Sequence, residues 1–219
     1  RAEAVVVSLA SLATYLLPLA ALVYGYDAVV GAAEDGRLDV VYALPVPRSS
    51  VLAGTFLGRA VTLAVATALG LGVGGLALYG TVGAAVDWAL YGRLLLGAVA
   101  LGLAFLGVSV LVSTLAAAKT HALGGVLLVW VWFVFGHDLA ALGMVAATDL
   151  PGSALSALVV ANPATAFRLL VLSGSAASGP LAAVVSSTAL TPTVLMLALG
   201  AWAVVPVAVA ARLAGRRSL

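Results

Sequence analysis

Residues 94–115 read LLLGAVALGLAFLGVSVLVSTL, twenty-two residues without a charge. The hydrocarbon core of a bilayer is about 30 Å thick and takes roughly 20 apolar residues wound as a helix. This stretch has the length and composition of one spanning helix, and the rest of the chain repeats the pattern. Of 219 residues, 64% are hydrophobic and only 8% are charged, and the mean hydropathy is +1.23. A soluble domain carries about a quarter charged residues. So few charges leave no water-facing surface, and lipid is the expected solvent.

Four further stretches qualify as spans: 4–24, 51–79, 121–144 and 192–211. The fold expected is an all-α, polytopic membrane bundle forming a single domain over residues 1–219. Two longer segments interrupt it. Residues 27–50 hold Asp27, Glu34, Asp35, Arg37, Asp39 and Arg48, six of the eighteen charges, and do not belong in hydrocarbon. Residues 146–191 mix Ser, Gly and Pro with apolar stretches too broken for an ordinary span. They are expected to form a pair of short interfacial or re-entrant helices on the outer side, broken at Asn162 and Pro163.

Basic residues mark the cytoplasmic side. With residues 27–50 placed inside, Arg37, Arg48, Arg59, Lys119, Arg212, Arg216 and Arg217 lie inside or at the inner boundary, and Arg1, Arg93 and Arg168 lie outside. Seven against three supports this orientation, with a cytoplasmic C-terminus in the cell (inner or plasma) membrane. Arg1 then falls outside, so the five spans are expected to be the last five of six. The net charge of +2 is topogenic on this reading, and nucleic acid is not an expected partner. The absence of cysteine excludes disulfides and thiolate metal sites.

The strongest local pattern is Gly36-Arg-Leu-Asp-Val-Val-Tyr-Ala-Leu-Pro-Val-Pro-Arg48. Leu38, Val41, Tyr42 and Leu44 give an apolar face at helical spacing, and Pro45 and Pro47 stop it. A short amphipathic helix along the inner membrane surface is expected. This acidic cluster, Gly, Leu, Pro-Val-x-Arg and a following Gly-containing span resemble the cytoplasmic loop of ABC-2 type permeases, matching at Glu34, Gly36, Leu38, Leu44, Pro45, Val46, Arg48 and Gly54. The family often has a second acidic residue where Ala32 stands and a Gly-Lys pair where Gly54-Thr55 stands. The resemblance implies a permease subunit whose loop helix couples to a separate ABC ATPase subunit, with Leu38, Val41 and Leu44 as anchors. ATP and magnesium would sit on that partner, this chain binding no cofactor. It also implies alternating conformations of a homodimer with a second permease copy.

Ala161-Asn-Pro-Ala-Thr-Ala-Phe-Arg-Leu169 is similar to an Asn-Pro-x-x-x-[Phe/Tyr]-Arg signature in the permease group serving nitrous oxide reductase maturation. Asn162, Pro163, Phe167 and Arg168 match, and Thr165 stands where that group often has Asp. The resemblance implies support of copper-site assembly beside an extracytoplasmic maturation protein. Soft Cu(I) favours thiolate and thioether ligands. The chain offers only Met144 and Met196, on different spans, so a sulfur-containing species or a mechanical role is as plausible as copper carriage.

Other residues read more plainly. No G-x-x-x-x-G-K-[ST] phosphate loop is present, and no catalytic residue is expected. Gly54 and Gly58, like Gly70 and Gly74, have the small-xxx-small spacing that lets helices approach closely, and packing is their expected role. His121, His137 and Asp138 are weighed as metal ligands and set aside, with interfacial polar caps as their expected role. Trp88 and Tyr91 suit an outer aromatic belt. Trp130, Trp132, Phe133 and Phe135 spread around one span and suit lipid contact and core packing. A serine hydrolase is disfavoured because no His serves the serine run at 173–179. A secondary carrier is disfavoured because the ionisable residues lie at predicted span ends. A lipid or drug exporter of the same family is the nearest alternative.

Overall fold

The computed structural model describes residues 2–36, 47–83, 86–148, 150–173 and 190–216. Among these, five helical stretches are long and apolar enough to cross a membrane, and no strand is present. The first comprises α1 (Ala2–Gly25) and the short α2 (Val30–Glu34). The others are α3 (Arg48–Val82), α4 (Trp88–Leu115), the continuous run of α5 (Lys119–Val131), a π-helical turn (Trp132–Gly136) and α6 (His137–Ala147), and finally α9 (Pro192–Arg216). Between α6 and α9 lie α7 (Gly152–Val160) and α8 (Pro163–Leu172), bent by 109°. This is the expected helix pair, broken where expected, at Asn162 and Pro163.

The opening stretch 94–115 lies at the centre. In α4, 61% of the most apolar window is buried, against 11% in α3, so α4 is the core and α3 the flank. Leu94, Leu101, Phe105 and Leu106 are fully buried and join Leu22, Phe167, Leu195 and Leu199 in the main apolar cluster. Asp87 starts α4 by accepting from the backbone N–H of Ala89 and Leu90 at 2.9 and 3.0 Å, the N-cap arrangement that satisfies two otherwise orphaned donors. At 35 residues, α3 is about 52 Å long, well beyond a 30 Å hydrocarbon core. Gly83 ends it at φ +65°, a left-handed conformation that glycine adopts without penalty.

The glycines that bring helices together are not the predicted pairs. A Cβ on Gly54, Gly58 or Gly70 would meet nothing within 4 Å, and on Gly74 only the Tyr91 hydroxyl at 3.4 Å. Within this chain those positions face open space, because α3 is peripheral. The close approaches are at Gly107, where a Cβ would lie 2.6 Å from the Ala203 carbonyl oxygen, and at Gly25, 2.7 Å from Ser109 Cβ. These let α9 and α1 seat against α4. Tyr91 also departs from expectation. It is buried, donates to the Leu71 carbonyl and lies where a Cβ on Gly75 would clash at 2.9 Å. The space left by Gly75 draws the ring inward, and only Trp88 remains half-exposed.

The aromatic residues of the fourth span do divide between lipid and core. Trp132 and Phe135 are exposed. Phe133 meets Phe105 and Trp202 edge-on at ring separations of 5.8 and 5.3 Å, and Trp130 donates to the Tyr15 carbonyl at 3.1 Å.

Candidate functional site

Two polar assemblies occupy different levels of the bundle. The first gathers at the junction of α1 and α2. Ser109 donates to the Leu22 carbonyl at 2.6 Å, and the Ser113 hydroxyl oxygen accepts from the backbone N–H of Val29 and Val30 at 3.0 and 3.1 Å. Both serines are buried on the core helix α4, so the α1–α2 corner is fixed to the most rigid element. From α3, Arg59 Nη1 donates to Asp27 Oδ1 at 2.9 Å and to the Tyr24 carbonyl, with the guanidinium 5.4 Å from the Tyr24 ring centre. Arg59 pairs with Asp27 eleven residues into α3, so the helix begins well outside this charged layer.

The same corner reaches α5. Glu34 Oε1 accepts from the backbone N–H of Lys119 at 2.8 Å, and Lys119 Nζ donates to Asp35 Oδ1 at 2.9 Å. Helix α5 has no cap from its own N-cap residue, Ala118. Glu34 therefore supplies both the missing acceptor and the negative charge that a helix N-terminus favours. Gly36 follows at φ +69° and turns the chain toward the predicted coupling segment. Arg48 lies at the other end of that segment, in the first turn of α3 after Pro47. Leu38, Val41, Leu44 and Pro45 lie outside the described residues. The structure thus positions Glu34, Gly36 and Arg48 and says nothing of the anchors between them.

The second assembly is built on the α7–α8 hairpin. Asn162 is fully buried and uses its whole amide: Oδ1 accepts from the Ala164 N–H at 2.9 Å, and Nδ2 donates to the Phe133 carbonyl at 2.8 Å. The first bond caps α8, and Pro163 follows at the position where a missing N–H costs nothing. The second ties the hairpin tip to the π-helical turn. Trp202 Nε1 donates to the Val160 carbonyl at 2.9 Å, satisfying an orphan carbonyl at the end of α7. Phe167 is buried against Gly97, where a Cβ would lie 3.0 Å from its ring.

Arg168 and Thr165 stand three apart on α8, hence on one face, and both reach Asp138. Arg168 Nη1 is 3.0 Å from Asp138 Oδ2, and Thr165 Oγ1 donates to Asp138 Oδ1 at 3.0 Å. His137 Nδ1 lies 3.7 Å from Asp138 Oδ1. His137 and Asp138 do not lie at an end of their helical run. They follow the π-helical turn inside a continuous helical run, nine residues or more before Ala147, and Asp138 serves as a cross-helix partner. His137 Nδ1 and Arg168 Nε are buried without a hydrogen-bond partner. The sequence pattern picked out Asn162, Pro163, Phe167 and Arg168 but missed Asp138 and Thr165 as their company. An acid, Asp138, in an otherwise apolar helical stretch was the one available signal.

Among the described residues, no three His, Cys, Asp or Glu side chains converge as metal ligands. Met144 is exposed on α6, and Met196 packs on the main core from α9. Ser173 donates to the Leu170 carbonyl at 2.8 Å; the rest of the serine run, 174–179, lies outside the described residues.

The family described as ABC-2 family transporter protein matches residues 3–219. A protein named "Probable ABC transporter permease protein NosY" from Pseudomonas aeruginosa is 37% identical over 223 residues, covering 99% of this chain and 81% of that protein. A protein of the same name from Stutzerimonas stutzeri is 36% identical over 208 residues, covering 91% of this chain and 75% of its own length. A multi-pass helical bundle, with a charged corner at the foot of its core helix and a bent helix pair in its side, is the frame on which these similarities fall. The chain belongs to the ABC-2 transporter family and is a permease subunit of an ABC transporter.

Proposed function

We propose that this permease supports maturation of nitrous oxide reductase, driven by ATP hydrolysis in a separate ATPase subunit. The observation that carries the reading is similarity to two NosY permeases along nearly the whole chain, joined by the Asn162, Pro163, Phe167 and Arg168 pattern on the hairpin. Residues 36–48 form the coupling segment, inside the cell with the C-terminus. Two copies alternate between conformations, and the hairpin faces the extracytoplasmic maturation partner. The fixed α1–α2 corner supports this assignment: a segment that receives force needs a rigid base, and Ser113, Arg59 and Lys119 tie that base to three helices.

Copper itself is a poor cargo for this chain, given no cysteine and two methionines on separate helices. The role we favour is delivery of mechanical work across the membrane, or passage of a sulfur-containing species. The test is complementation. A nitrous-oxide-respiring strain deleted for its own permease gene should regain the copper-site visible absorbance of its reductase when this chain and its ATPase are supplied together. Absence of that absorbance, with both subunits present in the membrane, removes the reductase link.

A second reading within the family, export of an apolar molecule, is favoured by an apolar groove of about 310 Å³ between α1 and α3, lined by Leu9, Leu12, Leu16, Ala66, Gly70 and Leu71 among others. Enhanced efflux of an apolar dye from vesicles holding the assembled transporter would support it.

A further inference from the structure

Helix α6 has no buried residue. It leaves the core at the π-helical turn, and Leu139, Leu142, Met144 and Val145 along it are all exposed. Lipid tails are as apolar as these side chains, so apolar contact gives such a helix little reason to hold one position, and polar contacts act as the glue. The polar contacts available are those to the hairpin. Asn162 meets Phe133 at the turn, and five residues farther along Asp138 meets Thr165 and Arg168. At 1.5 Å per residue the two attachment points are roughly 4.5–9 Å apart on α8, and about 6 Å apart on the α5–α6 side, where the π-helical turn spends one residue without added rise. The rises match and run in the same direction. Two such points fix orientation as well as position.

The cluster is not built for stability. Arg168 engages a single carboxylate oxygen through Nη1, while its Nε and His137 Nδ1 stay buried and unpartnered. Each unmade bond costs desolvation free energy, and the pair itself is only partly buried, its Arg168 and Asp138 side chains 28% and 35% exposed, so it adds little as a static brace; holding register is the use left to it. The π-helical turn beside it is the kind of irregularity that marks bends and functional sites in helices.

We infer that Asp138 is a positioning residue, gripping α8 through Arg168 and Thr165 so that α6 keeps one register against the core-seated hairpin during the transport cycle. This rests on the permease assignment and not on the reductase link. The carboxylate supplies the grip, the core-seated hairpin supplies the base, and the exposed α6 is the element held.

The chain has no cysteine, so spin-label pairs need no background removal. With nitroxides at Met144 and Ser173 in the reconstituted complex with the ATPase, the nucleotide-free distance distribution should be narrow. Asp138→Ala should widen it at least twofold, and exchanging the charges, Asp138→Arg with Arg168→Asp, should narrow it again. Trapping with ATP and vanadate should leave the Met144–Ser173 distance unchanged while shifting a Met144–Leu76 pair, which reports α6 against α3. A distribution unaltered by Asp138→Ala overturns the grip. A Met144–Ser173 shift as large as the Met144–Leu76 shift overturns the fixed register between α6 and the hairpin. Widening that the charge exchange does not reverse reduces Asp138 to a structural residue and overturns its positioning role. None of these outcomes depends on whether the reductase complementation succeeds.

Discussion

Asn162 spends its acceptor on α8 and its donor on the π-helical turn, so its two roles separate by substitution. Asn162→Ser keeps a capping oxygen but strands the Phe133 carbonyl, a loss of about 1–3 kcal/mol if that buried group finds no other donor. Asn162→Ala should cost about another 1 kcal/mol by removing the cap. Thermal unfolding of the detergent-solubilised protein should therefore rank wild type above Ser and Ser above Ala. Glycine offers a parallel contrast. Gly107→Ala drives a methyl toward the Ala203 carbonyl oxygen, 2.6 Å from where it would sit, and should destabilise by about 1–3 kcal/mol through overpacking. Gly124→Ala on α5 meets nothing within 4 Å and should be neutral or stabilising by up to about 1 kcal/mol, since alanine is the better helix former. A matched pair of melting curves checks both.

At the scale of elements, five spans were legible because length and apolar content decide them, and the hairpin because Asn-Pro breaks a helix for local reasons. The ends of α3 were less legible. Residues 49–58 hold neither a proline nor a charge to mark a boundary, and nothing local says that the charged layer lies at Arg59 and not at Arg48. Tyr91 looked interfacial beside Asp87 and Arg93, whereas the vacancy that buries it is made by Gly75 on another helix. The π-helical turn and the Asp138–Arg168 pair left no trace in periodicity, because both depend on what α8 brings alongside. The proposed coupling segment, residues 36–48, is where element-scale tests matter most. Val41→Asp should abolish ATP-coupled output while the protein still inserts, because a charge on the apolar face prevents seating in a partner groove; Val41→Leu should be tolerated. Lys119→Ala removes the ammonium that Glu34 and Asp35 share and loosens the base of that segment. It should lower coupled output with insertion retained, as read by coupled activity normalised to membrane content.

For the whole molecule, the arrangement is a central α4 with α1, α9 and the hairpin packed round it and α3 standing on the flank. That asymmetry makes sidedness testable with two labels. A cysteine at exposed Ser49, near the start of α3, should react with an impermeant maleimide only from the cytoplasmic side. One at exposed Thr148, after α6, should react only from outside. The reverse pattern would invert the proposed orientation and remove the coupling role of residues 36–48 with it.

The π-helical turn at Trp132–Gly136 carries one residue more than a regular α-helical ladder needs over the same rise, and it is lodged where the hairpin tip arrives. Such a surplus residue works like a spare link in a chain. Excising it would let the ladder close while Trp130 and Asp138 kept their faces, toward Tyr15 and Arg168. Asn162 alone would lose its acceptor. A single-residue deletion there would thus sever one of the hairpin's two moorings to this helical run while sparing the other.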